Sequence, residues 1–183
     1  APMIGQQISH YRLDRKLVFK AMGWFNPATY GLARGERTVA SYDEDALTMA
    51  VAAMVDCLGD RDRGAVSGLY LGSTTLPFAE RQGATLVAGA LDLSEQIRTA
   101  DFGGCHRAGT SALLAAFDAA AAGSASEVLV GAADCRLGRP GGSNEHLYGD
   151  GAAAMLVGEG EPIATLLGSH SVALDMVDTY RAS

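Results

Sequence analysis

Residues 127–133, EVLVGAA, form an apolar run bounded by the turn Gly123-Ser124-Ala125-Ser126 and by the loop DCRLGRPGG at 134–142. Lacking the polar alternation of a half-solvated strand, the run reads as a strand buried on both faces. Such a strand needs a layer on either side, and the neighbouring sequence offers helices for both. A long helix is expected from about Glu44 to Leu58, capped by Ser41 or Asp43, with Ala46, Leu47, Met49, Ala50, Ala53, Met54 and Cys57 as its apolar stripe. A second is expected at Gly83–Ala90, and a third apolar run ends near Ala122. Between them, Val66–Leu71 and Thr99–Phe102 read as short strands, and Ala152–Val157 as a later one. The alternation implies an α/β domain of αβα layers with a mixed sheet.

The remaining segments add detail. The opening APMIGQQISH allows only a brief edge strand. Tyr11–Met22 places Leu13, Leu17, Val18 and Met22 on one face of an expected amphipathic helix, ended by Gly23. Trp24, the lone tryptophan, is expected in the core. Gly158-Glu159-Gly160-Glu161 marks a hairpin whose returning strand would be Pro162–His170. With 183 residues, one domain over 1–183 is the default.

Charge and cysteine use exclude several classes of function. A formal charge of −7 without long runs of one sign is a poor match to nucleic acid or to anionic membrane. No apolar run is long enough to span a bilayer, and the first residues lack a signal-peptide pattern. Cys57, Cys105 and Cys135 are far apart, with no CxxC pair, so neither a disulfide framework nor a zinc site is expected and a reducing cytoplasm fits. His146 and His170 lack metal-ligand spacing.

The chemistry-bearing stretch is DFGGCHRAGTSAL at 101–113, a glycine-rich turn entering an apolar helix. The unbonded amides of a helix's first turn favour an anion, so a thiol or an acyl oxygen placed there would have its charged form stabilised. Cys105 is therefore a candidate nucleophile, although a cysteine among Gly and Ala is also an ordinary small core residue. His106 beside it can serve as base, electrophile, acyl-site liner or structural donor. Gly103 and Gly104 would contribute oxyanion-stabilising amides. The loop Gly72–Glu80 follows a strand end, where open α/β sheets place ligand contacts. Arg136 and Arg139 can meet phosphate or simply face solvent. Asp150, between two glycines, reads as a turn former.

Taken together, YRLDR (11–15), YDEDALTMAVAAM (42–54), LYLGSTTLPFA (69–79), ADFGGCHRAGTSAL (100–113), VGAADCRLGRPGG (130–142), YGDGAAAMLVG (148–158) and VDTYR (177–181) resemble the thiolase superfamily, in its HMG-CoA synthase-like branch. The resemblance covers the N-terminal half of that fold, with the second half absent. It implies a layered thiolase-like half, an acyl group carried from coenzyme A on a cysteine, no covalently bound cofactor, and a homodimer or heteromer. A thiolase and a small zinc-bearing OB-fold protein are the partners it suggests. Under it, Cys105 and His106 are catalytic, Gly103, Gly104 and Thr74 form the oxyanion or acyl site, and Arg136 and Arg139 bind coenzyme A. Two positions depart from the family pattern. His106 occupies the nucleophile's slot, one residue after Cys105, and Thr74 stands where a glutamate acid/base is expected. These departures keep two alternatives open: a non-catalytic scaffold subunit of an acyl-CoA complex, and a piece of a longer synthase.

Overall fold

Gly68–Gly72 (β4), GLYLG, is buried at every residue, and its neighbours in the sheet explain why. In the computed structural model of the protein, which describes residues 4–174, this strand is flanked on both edges by parallel partners. These are Arg98–Phe102 (β5) and Glu127–Asp134 (β6). Beyond β6 lies Gly151–Gly158 (β7), antiparallel, and then Ile4–Ile8 (β1), also antiparallel, at the sheet edge. The order is thus β1-β7-β6-β4-β5, a mixed five-stranded sheet. The apolar run at 127–133 is indeed a strand, one residue longer than expected.

Alternation along each strand sends side chains to two separate cores. Leu69, Leu71 and Leu129 point to one face, where Ala46–Leu58 (α2) and Gly83–Ala90 (α3) cover them with Ala50, Met54, Leu58, Val87 and Leu91. Tyr70, Val128 and Val130 point to the other, beneath Ala108–Ala121 (α4) and its buried Ala112, Ala116 and Ala119. Alanine on the packed face lets α4 lie close to the sheet. Cys57 sits in the first core, fully buried as expected.

Four expectations are corrected. The expected helix at 11–22 begins only at Arg15: Arg15–Met22 is helical (α1), and the Asp14 side chain caps it by accepting from the Lys16 amide. Tyr11–Asp14 (β2) is instead extended and pairs with Glu36–Val39 (β3) in a separate two-stranded sheet. Of the four residues expected on the helix's apolar face, only Val18 is buried among those in α1, and Leu17 is exposed. Trp24 is 79% exposed, stacked edge-on to Phe25 rather than placed in the core. For α2 the cap is Asp45, not Ser41 or Asp43: its carboxylate accepts from the Thr48 amide while the Thr48 hydroxyl accepts from the Asp45 amide, a reciprocal capping box.

The fourth correction concerns the returning strand at 162–170, which is irregular. The reason lies in the sheet. Both edges of β7 are already occupied, by β6 and by β1, so no ladder is left on β7 for a following segment. The antiparallel partner comes from the start of the chain instead. The motif at 177–181 lies outside the described residues.

Candidate functional site

The parallel strands β4 and β6 end side by side, and the first turn of α4 sits over their carboxyl ends. Two glycines allow that approach. A Cβ on Gly72 would lie 2.6 Å from the Cα and N of Gly109, and a Cβ on Gly109 would lie 2.8 Å from the Cβ of Ala132. Helix and strand ends are therefore in direct backbone contact, and only glycine fits at either position. The α4 N-terminus carries no side-chain cap. Its first residues, Ala108, Gly109 and Thr110, line a cleft of about 340 Å³ together with the polar Ser73, Thr74, His106 and Asp134 and the apolar Leu113, Val130 and Met155. Amide donors and the positive end of the helix dipole thus border the cleft.

Asp134 organises the polar part of the lining. Its Oδ1 accepts from the Thr74 amide (2.7 Å), the Thr74 hydroxyl (2.9 Å), the Thr75 hydroxyl (3.1 Å) and the Ser73 hydroxyl (3.2 Å). The Cys135 amide returns a bond to Thr75 Oγ1 (2.9 Å). One carboxylate therefore fastens the loop after β4 to the end of β6. Sequence reasoning placed Asp134 only at the start of a loop. The signal that could have found it was an acid at the carboxyl end of the most buried strand, facing a Ser-Thr-Thr cluster that follows another strand.

The expected site residues are distributed unevenly around the cleft. Thr74 and His106 line it. Cys105 is exposed on the turn before α4, outside the lining, with its carbonyl accepting from the Ala108 amide (3.1 Å). Gly103 and Gly104 lie on the same turn and also outside the lining. Gly104 has φ +76°, a conformation that favours glycine and aims the chain into the helix. Arg139 is exposed and is not among the residues that line the cleft.

Arg136 reaches the rim. Its Nη2 donates to His106 Nε2 (3.0 Å), and its guanidinium lies 4.1 Å from the centre of the Tyr148 ring. Its amide donates to Asp150 Oδ1 (3.1 Å), while Asp150 Oδ2 accepts from the Ala40 amide (2.8 Å). Asp150 is buried, so beyond shaping a turn it ties three segments together.

The other thiols are poorly suited to chemistry. Burial pushes Cys57 up to about 11 and, with the neighbouring Asp150 carboxylate, also raises Cys135. Among the described residues no cluster of His, Cys, Asp and Glu is arranged to hold a metal ion, and no helix is long and apolar enough to cross a membrane.

Comparison with known proteins places this chain in a family. No family model matches the chain. A hydroxymethylglutaryl-CoA synthase of Pyrococcus horikoshii is 34% identical over 97% of this chain and 50% of its own length. Among solved structures, HMG-CoA synthase complexed with coenzyme A is 25% identical with a TM-score of 0.77, over 86% of this chain and 41% of that one. MvaS in complex with 3-hydroxy-3-methylglutaryl coenzyme A is 27% identical with a TM-score of 0.76, over 86% and 39%. The chain spans about half the length of the curated relatives it matches. In sequence and in overall fold, the chain belongs to the thiolase superfamily, in the HMG-CoA synthase-like branch.

Proposed function

We propose that this chain is an acyl-CoA-handling part of a condensing or acyl-transfer enzyme, and that the cleft over β4 and β6 receives the acyl end of a coenzyme A thioester. The observation that carries this reading is the start of α4, without a side-chain cap, bordering a cleft lined by both polar and apolar side chains. A thioester carbonyl oxygen placed against that helix start would meet the first-turn amides, which stabilise the negative charge that develops on attack. The acyl chain would extend along Leu113, Val130 and Met155. Complexes of its relatives with coenzyme A and with an acyl-CoA support the substrate class.

Cys105 is the proposed acyl acceptor. Its thiol loses a proton to solvent, the thiolate attacks the carbonyl carbon, and a tetrahedral oxyanion forms. The bond to the coenzyme A sulfur then breaks, leaving a thioester on Cys105 and coenzyme A, which takes up a proton. Arg139, exposed outside the cleft, and Arg136 at its rim are the proposed contacts for coenzyme A phosphates. The exposed Trp24, Phe25 and Tyr30 offer a surface for assembly with a second copy, a thiolase or an OB-fold protein, in the cytoplasm.

One observation favours a second reading: His106, not Cys105, lines the cleft. On that reading the chain binds acyl-CoA, or only supports a catalytic partner, without becoming acylated. Intact-mass measurement after incubation with acetyl-CoA or acetoacetyl-CoA separates the two. An acyl adduct lost in Cys105→Ser supports the covalent route. Absence of an adduct, together with saturable acyl-CoA binding by calorimetry, supports the second reading, and absence of both overturns the acyl-CoA proposal.

A further inference from the structure

Arg136 is held at three points, and the third is a ring nitrogen. Its backbone amide is fixed by buried Asp150, its guanidinium is stacked on Tyr148, and its Nη2 lies 3.0 Å from His106 Nε2. A guanidinium has five N–H donors, no acceptor, and keeps its proton at any ordinary pH. The bond to His106 can therefore run in only one direction, from Arg136 to a lone pair on Nε2. A neutral imidazole that accepts at Nε2 carries its proton on Nδ1, because the partner of one ring nitrogen sets the state of the other.

We infer that Arg136 is a positioning residue that locks His106 as the Nδ1–H tautomer, with Tyr148 holding the guanidinium in place. The consequence bears on the chemistry of the cleft and, for what the ring would meet there, rests on the acyl-CoA reading above. With its Nε2 lone pair engaged, His106 has no base to present through that nitrogen and cannot take the proton of the Cys105 thiol there. Of the roles open to His106 from sequence, base, electrophile, acyl-site liner and structural donor, this bond sets aside that of base through Nε2.

The test uses the ligand-free chain, so it is independent of any acyl-CoA activity. Protein labelled with nitrogen-15 in its histidines is examined by long-range proton–nitrogen correlation, at a pH where the ring is neutral, and the His106 signals are assigned by their loss in His106→Asn. In the wild-type chain Nδ1 is expected to be protonated and Nε2 to show the shift of a bare, hydrogen-bonded nitrogen. In Arg136→Gln the Nδ1–H form is expected to lose its dominance to Nε2–H. Arg136→Lys, which keeps a donor, is expected to restore part of it. Tyr148→Leu tests the stacking without touching either bonded residue and is expected to give a mixture, whereas Tyr148→Phe keeps the wild-type pattern. An Nε2–H ring in the wild-type chain, or an Nδ1–H ring undisturbed in both Arg136→Gln and Tyr148→Leu, overturns the inference. The expected tautomer pattern across these variants with no acyl-CoA binding instead sinks the functional reading and leaves this one standing.

Discussion

Replacing Gly72 by alanine sets a methyl group 2.6 Å from both the Cα and the N of Gly109. Ordinary van der Waals contact for a Cβ begins at 3.4 Å, so the two backbones must separate by roughly 0.8 Å, a displacement large enough to disturb close packing. Neither side can yield cheaply. β4 is pinned between parallel partners on both edges, and α4 is anchored by buried Ala108, Ala112 and Ala116. Lifting the start of α4 also loosens the contact between Gly109 and Ala132 that seats the helix over β6. Overpacking against backbone rather than against a side-chain tip belongs at the upper end of the usual range, about 3 kcal/mol. Urea unfolding monitored by circular dichroism measures this directly. With a denaturant slope of about 2 kcal/mol per molar, the midpoint should fall by roughly 1.5 M. Gly89→Ala is the matched control: it adds the same methyl group on the exposed face of α3, where a Cβ meets nothing within 4 Å. It should raise stability by about 0.5 kcal/mol through helix propensity alone. A Gly72→Ala midpoint within about 0.2 M of the unaltered chain would refute the close-approach argument.

Two further outcomes follow from the hydrogen-bond pattern. Asp134→Ala removes the single acceptor shared by Ser73, Thr74 and Thr75 and should cost about 2–3 kcal/mol in urea unfolding, with Asp134→Asn recovering part of it because an amide oxygen still accepts; equal losses in the two variants would count against this role. Glu44 is held below its ordinary value of 4.5 by the Ser41 amide and then by the Ser9 hydroxyl. Because its folded-state value is the lower one, its contribution is fully present above the ordinary value and disappears as pH falls through the lowered one. Thermal midpoints measured from neutral pH down to about pH 3 should therefore drop less steeply for Glu44→Gln than for the unaltered chain, and parallel curves would exclude the linkage.

Much of the layered architecture was legible because it rests on local pattern. An apolar run such as EVLVGAA can satisfy its backbone only inside a sheet covered on both sides. The helix at Gly83–Ala90 was readable to the residue from its own composition. Errors arose where a local pattern had more than one tertiary outlet. Asp14 can lie within a helix or cap one, and pairing of Tyr11–Asp14 with Glu36–Val39 decided between them. Trp24 carries a large apolar side chain whose position depends on what surrounds it, and in this fold it lies at the surface.

For the site, residue type and order identified the neighbourhood but not the constellation. His106 could be named as a candidate from the turn-to-helix signature, since a glycine-rich bend opening a helix exposes amides wherever it occurs, and Thr74 from its loop at a strand's carboxyl end together with the family resemblance. What sequence by itself determined was a set of strands and helices with a candidate site at one junction. Only the tertiary structure decided which side chains meet there. Asp134 finds Ser73, Thr74 and Thr75 some 60 residues earlier in the chain, Arg136 finds His106 30 residues away, and β1 takes the edge of β7 that a returning strand would have used. The physical reason is that backbone periodicity is encoded within a few residues, whereas hydrogen-bond partners across parallel strands are set by sheet order and register, which exist only once the chain has closed on itself.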